Sequence, residues 1–376
     1  MSCRILITGF GVVSSIGRDK WECLSSLRSG RRALALPHYL QTELRLPVGE
    51  VDTPNRPGVP RTVLLGTMAL QEAVDQAGLG AAELAGAALV SGTTVGGMDI
   101  TEATFRNYRG THDCGSTTED IADAVGGFSM ATTLSTACSS AANALMLGAE
   151  LIRAGKADIV AAGGSECLSD YHLNGFHSLM ILDAEPCRPF DRTRAGLNLG
   201  EGAAFLILES EASAARRGAT PVAELAGYAN ACDAFHQTAS SPDGEGAFLA
   251  MQGALRRAGL QPGDVDYVNA HGTGTPNNDA SESAALRRIF GEKMPPVSST
   301  KGFTGHTTSA SGSIEAAFCL LAMQHSFLPA NAGWQEADPD CIVPCTALGK
   351  PAPVNVALCN AFGFGGNDSS FILKKR

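Results

Sequence analysis

Leu134-Ser135-Thr136-Ala137-Cys138-Ser139-Ser140-Ala141-Ala142-Asn143-Ala144-Leu145-Met146-Leu147-Gly148, followed by Asp158-Ile159-Val160-Ala161-Ala162-Gly163-Gly164, decides the fold of this chain. The first part is a helix-shaped run of small residues headed by a cysteine, and the second is a short β-branched run ending in glycine. The same alternation recurs along the chain. Strand-like runs occupy 4–9, 87–92, 157–163, 265–270 and 354–360, and helical patterns fall between them at 63–77, 139–154, 247–258, 280–290 and 313–325. Alternating strands and helices predict an α/β fold with largely buried sheets. With 43 glycines and few aromatic residues, the layers are expected to pack closely.

The two halves echo each other. Ala88-Leu89-Val90-Ser91-Gly92-Thr93-Thr94-Val95-Gly96-Gly97 is matched in pattern by Tyr267-Val268-Asn269-Ala270-His271-Gly272-Thr273-Gly274-Thr275. Ser135-Thr136-Ala137-Cys138 and Ser299-Thr300-Lys301 each lead into a small-residue helix, and 158–164 finds its counterpart in 354–366. This suggests an internal duplication about a pseudo-twofold axis, with residues 1–220 and 221–376 as the halves and a junction in the polar run 211–221. The Cys138 helix and the His306 segment would then meet at the centre.

A chain of 376 residues with 44% apolar and 18% charged residues can bury a sizeable core. The formal net charge of -10 argues against nucleic-acid binding. It also means that an acidic protein partner would need a local basic patch. Eleven scattered cysteines and a start, Met1-Ser2-Cys3-Arg4-Ile5-Leu6-Ile7-Thr8-Gly9, that reads as a strand entering a turn predict a reduced, cytoplasmic setting without a signal peptide. No apolar run of about 20 residues predicts a membrane span. Cys341 and Cys345 have no nearby histidine or second cysteine pair, so no metal is expected there.

Four segments carry candidate chemistry. Cys138 heads a helix, where free N–H groups and the helix dipole would favour a thiolate. His271 follows a strand end and precedes two glycines and two threonines, more than a structural histidine calls for. Ser299-Thr300-Lys301-Gly302-Phe303-Thr304-Gly305-His306 precedes the helix holding Glu315 and could form one charged network, although alone it fits a solvated loop equally well. Asn360-Ala361-Phe362-Gly363-Phe364-Gly365-Gly366-Asn367-Asp368 is a strand running into a turn whose glycines can present N–H groups to a ligand, a plain tight turn being the alternative. A cysteine, two histidines and backbone donors are the equipment for acyl transfer through a thioester.

Thr136-Ala137-Cys138-Ser139-Ser140, Ala270-His271-Gly272-Thr273-Gly274-Thr275 and Lys301-Gly302-Phe303-Thr304-Gly305-His306 together resemble the motifs of β-ketoacyl-acyl-carrier-protein synthases of the elongating type. The likeness runs from Ile5 to the Gly365-Gly366 loop. It implies a thiolase fold, with two similar halves in five α-β-α-β-α layers, assembled as a dimer. It implies that Cys138 accepts an acyl chain and that His271 and His306 promote decarboxylation of malonyl carrier protein, with Lys301 joining the catalytic set. Glu315, Asp279 and Glu282 would support them. The N–H groups of Cys138 and Phe364 would form the oxyanion hole, and Phe364 and Phe176 the gate. Thr273 and Thr275 would bind phosphopantetheine, with Thr238 in a neighbouring mobile loop, 233–238. No metal or diffusible cofactor is implied, since pantetheine arrives on the carrier protein.

The chain departs from the family pattern in places. The segment 97–138 is short, and Asn367-Asp368 stands where threonine then asparagine is usual. Met180 replaces an arginine that helps meet the carrier, leaving Arg56 and Arg61 as candidate docking residues. These departures lean towards a specialised polyketide or polyene pathway over general fatty-acid elongation. They also raise a second arrangement, a heterodimer in place of a homodimer, with this chain as the catalytic subunit beside a non-catalytic chain-length-factor-like partner. A thiolase would need a second catalytic cysteine in the C-terminal loop, and Cys359 lies within the preceding strand. An initiating synthase would carry Cys-His-Asn.

Overall fold

Ten strands form one continuous sheet in the computed structural model, which describes residues 4–104 and 113–376. In chain order they are β1 (Ile5–Ser14), β2 (Ala88–Gly92), β3 (Met130–Leu134), β4 (Ile159–Glu166), β5 (Gly202–Ser210), β6 (Ala223–Cys232), β7 (Tyr267–Asn269), β8 (Val297–Ser298), β9 (Val356–Gly363) and β10 (Asn367–Lys375). Their spatial order is β8-β7-β9-β10-β6-β1-β5-β4-β2-β3. Cut between β6 and β1, this gives two five-strand series of the same order. In each, the first strand pairs antiparallel with the fifth and the fifth antiparallel with the fourth. The fourth is parallel to the second, and the second to the third. The series join through one short antiparallel contact, Leu6 with Glu224 and Ile7 with Ala223. Segments matched by pattern in the sequence are β2 with β7 and β4 with β9.

Six helices place the layers: α1 (Arg61–Ala77), α2 (Ser140–Arg153), α3 (Asp170–Ser178), α4 (Glu245–Ala258), α5 (Pro276–Phe290) and α6 (Ser311–His325). Every residue of α6 from Ser311 to Met323 is buried. A helix apolar on all sides belongs inside a large core, and α6 packs against α2 between the two halves of the sheet. The approach is backbone to backbone: a Cβ on Gly312 would lie 2.8 Å from the Ala142 nitrogen. α1 covers β1 and β5 on one outer face, and α4 covers β6 and β10 on the other. The result is the α-β-α-β-α stack, with Phe10, Leu145, Phe318 and Phe371 in the central core and separate apolar clusters under each outer helix.

The first strand corrects the sequence reading. It does not turn at Gly9 but runs on to Ser14, with a register shift between Ile7 and Gly9. Its glycines serve helix approach instead: a Cβ on Gly11 would fall 2.1 Å from the Ala69 carbonyl oxygen of α1. Gly227 of β6 meets Ala254 of α4 in the corresponding way, at 2.4 Å. Gly11→Ala is therefore expected to cost about 1–3 kcal/mol through overpacking, read as a lower urea midpoint at unchanged slope.

Met1–Cys3 of the expected first strand, and part of the short 97–138 segment, lie outside the described residues. Among the described residues no helix is long and apolar enough to cross a membrane. Nor is there a group of three or more His, Cys, Asp or Glu side chains placed to hold a metal ion.

Candidate active site

Cys138 sits in the turn between β3 and α2. Ala137, immediately before it, has φ 52°, a left-handed conformation that costs energy for any residue with a side chain. The turn is held by the Ser140 hydroxyl, which accepts from the Thr136 N–H at 2.9 Å and donates to the Ala137 carbonyl at 2.6 Å. The backbone N–H groups of Phe364 and of Cys138 itself reach the sulfur. The expected thiolate is not found. Burial pushes the thiol up to about 12, against the opposing pull of Lys301 and the two N–H groups. Helix α2 begins two residues beyond the cysteine, and its dipole does not outweigh desolvation. The resting group is a thiol.

His271 lies just past β7. Its own N–H and that of Gly272 donate to the two oxygens of Glu282, at 2.9 and 2.8 Å. The Gly274 N–H donates to Asp279 at 3.2 Å, and Asp279 also accepts from the Phe190 N–H at 2.7 Å. Both carboxylates project from α5, so that helix shapes the histidine loop by holding its backbone. His306 is fixed from both halves: its N–H donates to the Asn198 carbonyl at 2.7 Å, and its Nδ1 pairs with the hydroxyl of Ser311, at the start of α6, at 3.0 Å. The two rings meet edge to face, with centroids 5.1 Å apart. Burial first, then the Lys301 charge, holds both imidazoles well below their ordinary range, so both are neutral at pH 7.

Lys301 and Glu315 form a buried ion pair. Burial raises the Glu315 carboxyl to about 7, opposed by Lys301. Glu315 thus pairs with Lys301, Glu282 and Asp279 hold the backbone of the His271 loop, and His306 bonds to Ser311. Lys301 does not line the cavity; it acts on the thiol and both imidazoles through its charge.

Cys138, His271 and His306 open onto one cavity of about 340 Å3. Thr273, Thr275 and Thr238 line it as well, with the first two hydroxyls 2.9 Å apart. Phe364 stacks on Phe176 across it, with centroids 5.9 Å apart and planes at 23°. The Phe364 loop presses on the cysteine turn, since a Cβ on Gly363 would lie 3.0 Å from the Thr136 oxygen. Gly365 donates to the Gln237 carbonyl at 2.8 Å, joining that loop to segment 233–238. One glycine N–H expected to face a ligand is thereby committed within the protein.

Several residues were missed in the sequence. The Asn367 side-chain oxygen accepts from Ser139 at 2.7 Å, Asn230 at 2.8 Å and Asn143 at 3.0 Å, tying the end of the Phe364 loop to the cysteine helix. Its departure from the family pattern was the available signal. His172 lies buried beneath Phe176, ring centroids 5.2 Å apart. Nothing in its helical context marked it. Arg61, expected to dock a carrier, is 5% exposed and paired with Glu201; Arg56 is exposed. Met180 is 90% exposed beside the cavity-lining Leu179 and Ile181.

Two like halves with a thiol, two neutral imidazoles and inward-facing N–H donors at their junction define an acyltransferase of thiolase-type fold, a carbon–carbon bond-forming enzyme. The chain belongs to the beta-ketoacyl synthase family, whose N-terminal domain model matches residues 2–214 and whose C-terminal domain model matches 222–335. It is 36% identical to nodulation protein E of Rhizobium meliloti (strain 1021), over 100% of both chains. Its structure is similar to that of the ishigamide ketosynthase/chain length factor, with TM-score 0.92, 32% identity and 100% of both chains covered. It is likewise similar to a type II polyketide synthase acyl-carrier protein complex with its ketosynthase bound to the hexaketide, with TM-score 0.91, 27% identity and 100% of both chains covered.

Proposed function

We propose that Cys138, His271 and His306 carry out a decarboxylative Claisen condensation on carrier-bound substrates. The observation that carries this reading is the single cavity onto which all three open, with the Phe364 N–H at the sulfur. The Cys138 sulfur attacks the thioester carbonyl of an acyl carrier protein. The C–S bond to pantetheine breaks, and the thiol proton ends on the departing pantetheine sulfur. Malonyl carrier protein enters next; its carbon–carboxylate bond breaks, CO2 leaves, and the electron pair passes to the thioester enolate. Neutral imidazole N–H groups of His271 and His306 stabilise that oxygen as charge develops, in a site with little water to compete. The enolate carbon attacks the Cys138 thioester while the Phe364 and Cys138 N–H groups hold the oxyanion. The cysteine sulfur is expelled and takes a proton from solvent, leaving a chain two carbons longer.

Lys301 then serves as a positioning and field residue paired with Glu315, while Glu282 and Asp279 hold the His271 loop. Thr273, Thr275 and Thr238 are assigned to pantetheine, and Phe364 with Phe176 to the gate. The repeated strand order supports a division into halves 1–220 and 221–376. The substrate itself brings pantetheine, and no further cofactor enters any step. A reducing, cytoplasmic setting is proposed on the odd number and scattered placement of the cysteines.

A carrier protein and a synthase-like partner are named with the two similar solved structures, and both are proposed here. The exposed Met180 at the cavity rim, where a docking arginine is usual, favours a partner subunit that completes the carrier dock, with this chain as the catalytic member. The test is intact-mass analysis after incubation with a panel of acyl carrier proteins. An acyl increment on Cys138 and a two-carbon extension with malonyl carrier are expected; no increment with any carrier would overturn the reading.

A further inference from the structure

Asn367 does not line the cavity, yet it ends the loop that brings the Phe364 N–H to the Cys138 sulfur. That loop is a tight hairpin turn. Gly363, the last residue of β9, pairs with Asn367, the first of β10, and only Phe364, Gly365 and Gly366 lie between them. Gly365 and Gly366 have φ 85° and 75°, a region that glycine enters freely, so the turn has little stiffness of its own. The direction of the Phe364 N–H is therefore set by the two feet of the hairpin. The Gly363 foot is wedged against the cysteine turn, where a Cβ would lie 3.0 Å from the Thr136 oxygen and 3.2 Å from the Cys138 nitrogen. The Asn367 foot is tied by hydrogen bonds.

The side-chain oxygen of Asn367 accepts from Ser139, the residue after the nucleophile, at 2.7 Å. It also accepts from Asn143, one turn along α2, at 3.0 Å and from Asn230 of β6 at 2.8 Å. These donors are themselves held. Asn143 donates to the Thr136 hydroxyl at 2.9 Å, and its oxygen accepts from Ser369 at 3.0 Å and from Asn230 at 3.2 Å. Thr136, Ser139 and Asn143 lie on the turn and helix that carry Cys138, whereas Asn230, Asn367 and Ser369 belong to the paired strands β6 and β10. The network therefore joins the nucleophile's own segment to the far foot of the loop that supplies the second N–H. Its members are neutral amides and hydroxyls. What such a tie controls is geometry, and misplacing a reacting or stabilising group by about 1 Å can cost about 10²-fold in rate.

We infer that Asn367 is a positioning residue for the Phe364 side of the oxyanion hole, fastening the loop to the cysteine helix so that the Phe364 N–H stays aimed at an acyl oxygen on Cys138. Without the Asn367 oxygen the thiol and both imidazoles keep their own anchors, while the Phe364 donor is free to drift on its two glycines. The inference rests on reading Cys138 as the acyl acceptor and assigns what sets the donor at its thioester.

Two reactions of the same sulfur separate this role from a structural one. With hexanoyl-N-acetylcysteamine, Cys138 attacks the thioester carbonyl and expels N-acetylcysteamine, which leaves with the thiol proton. With iodoacetamide it displaces iodide, and the proton goes to solvent. Both reactions need entry through the mouth and a reactive sulfur, but only the first passes through a tetrahedral oxyanion. The ratio of the two rates, each read by mass spectrometry on the Cys138 peptide, therefore reports the oxyanion donors. Asn367→Leu keeps the volume and removes the acceptor, and is expected to lower the acylation-to-alkylation ratio about tenfold or more. Asn230→Ala, at an exposed position, removes one of the three bonds. It is expected to lower the ratio about two- to threefold, and it decides the question if the first variant folds poorly. Acylation and alkylation that fall together, or a ratio equal to that of the wild type, would overturn the inference while leaving acyl transfer intact. A wild type that is alkylated at Cys138 but not acylated would overturn the acyl-transfer reading and the inference with it.

Discussion

Cys138→Ala is expected to lower acyl loading to background, by at least about 10⁴-fold, while CO2 release from malonyl carrier protein persists. His271→Ala and His306→Ala are expected to do the reverse, keeping loading and slowing CO2 release by about 10²–10³ each. The separation follows from where the groups sit. The sulfur is met by backbone N–H donors from its own turn and the Phe364 loop, whereas the imidazoles face one another across the cavity and are anchored through Glu282 and Ser311. Intact mass reads the first half-reaction and released CO2 the second. Loss of loading in the histidine variants would mean that an imidazole handles the thiol proton.

Because both imidazoles stay neutral when folded, the unfolded chain takes up protons that the native chain does not as pH falls below the ordinary histidine value of about 6.5. That part of the stability is complete above this range and is lost on acidification. Thermal unfolding across about pH 5.5–7.5 measures it, and the double variant His271→Phe/His306→Phe should flatten the slope.

Lys301→Met carries the second large effect. It leaves Glu315 buried without its cation, and breaking such a pair costs about 3–5 kcal/mol. Glu315 already sits at about 7 with the lysine present and has one oxygen without a hydrogen-bond partner, so the variant will hold it protonated. Replacing both partners, Lys301→Met/Glu315→Leu, should restore most of the stability, since an apolar pair of similar volume is often no worse than a buried ion pair. Activity should not return with it. Lys301 is a leading charge holding both imidazoles low and opposing the rise of the Cys138 thiol. Its loss moves the histidines up towards their usual value, shifting the acid limb of the decarboxylation profile to higher pH. A double variant that is stable and has an unshifted profile would make the pair purely structural.

Much of the fold was legible because short β-branched runs ending in glycine, and small-residue helices, are local signals. β2, β4, β7 and β9 and the bodies of five helices lie where these patterns placed them. β5 escaped because Gly202–Ser210 is an unbroken buried run, whose period does not separate strand from helix. β8 is two residues long and is a strand only because β7 lies beside it. Gly9 reads as a turn residue, yet its use, like that of Gly11, is to let a helix backbone approach a strand, which no local pattern records.

The site divides along similar lines. Cys138, His271, His306 and Phe364 stand in motifs whose residue types are chemically unusual, which marked them as candidates, and the fold brings them to one cavity. Their protonation was not decided there. The helix dipole that the sequence offered Cys138 is local, whereas the desolvation that overrides it comes from layers packed from both halves. The same holds for Arg61, which reads as a docking cation and is buried against Glu201, and for Asn367, whose three donors come from two other elements. By itself the sequence determined the repeat, the chemistry-bearing groups and the family to which they point. Tertiary structure alone decided the charge state of each group and the neighbours that hold it, because burial and electric fields are sums over residues distant in the chain.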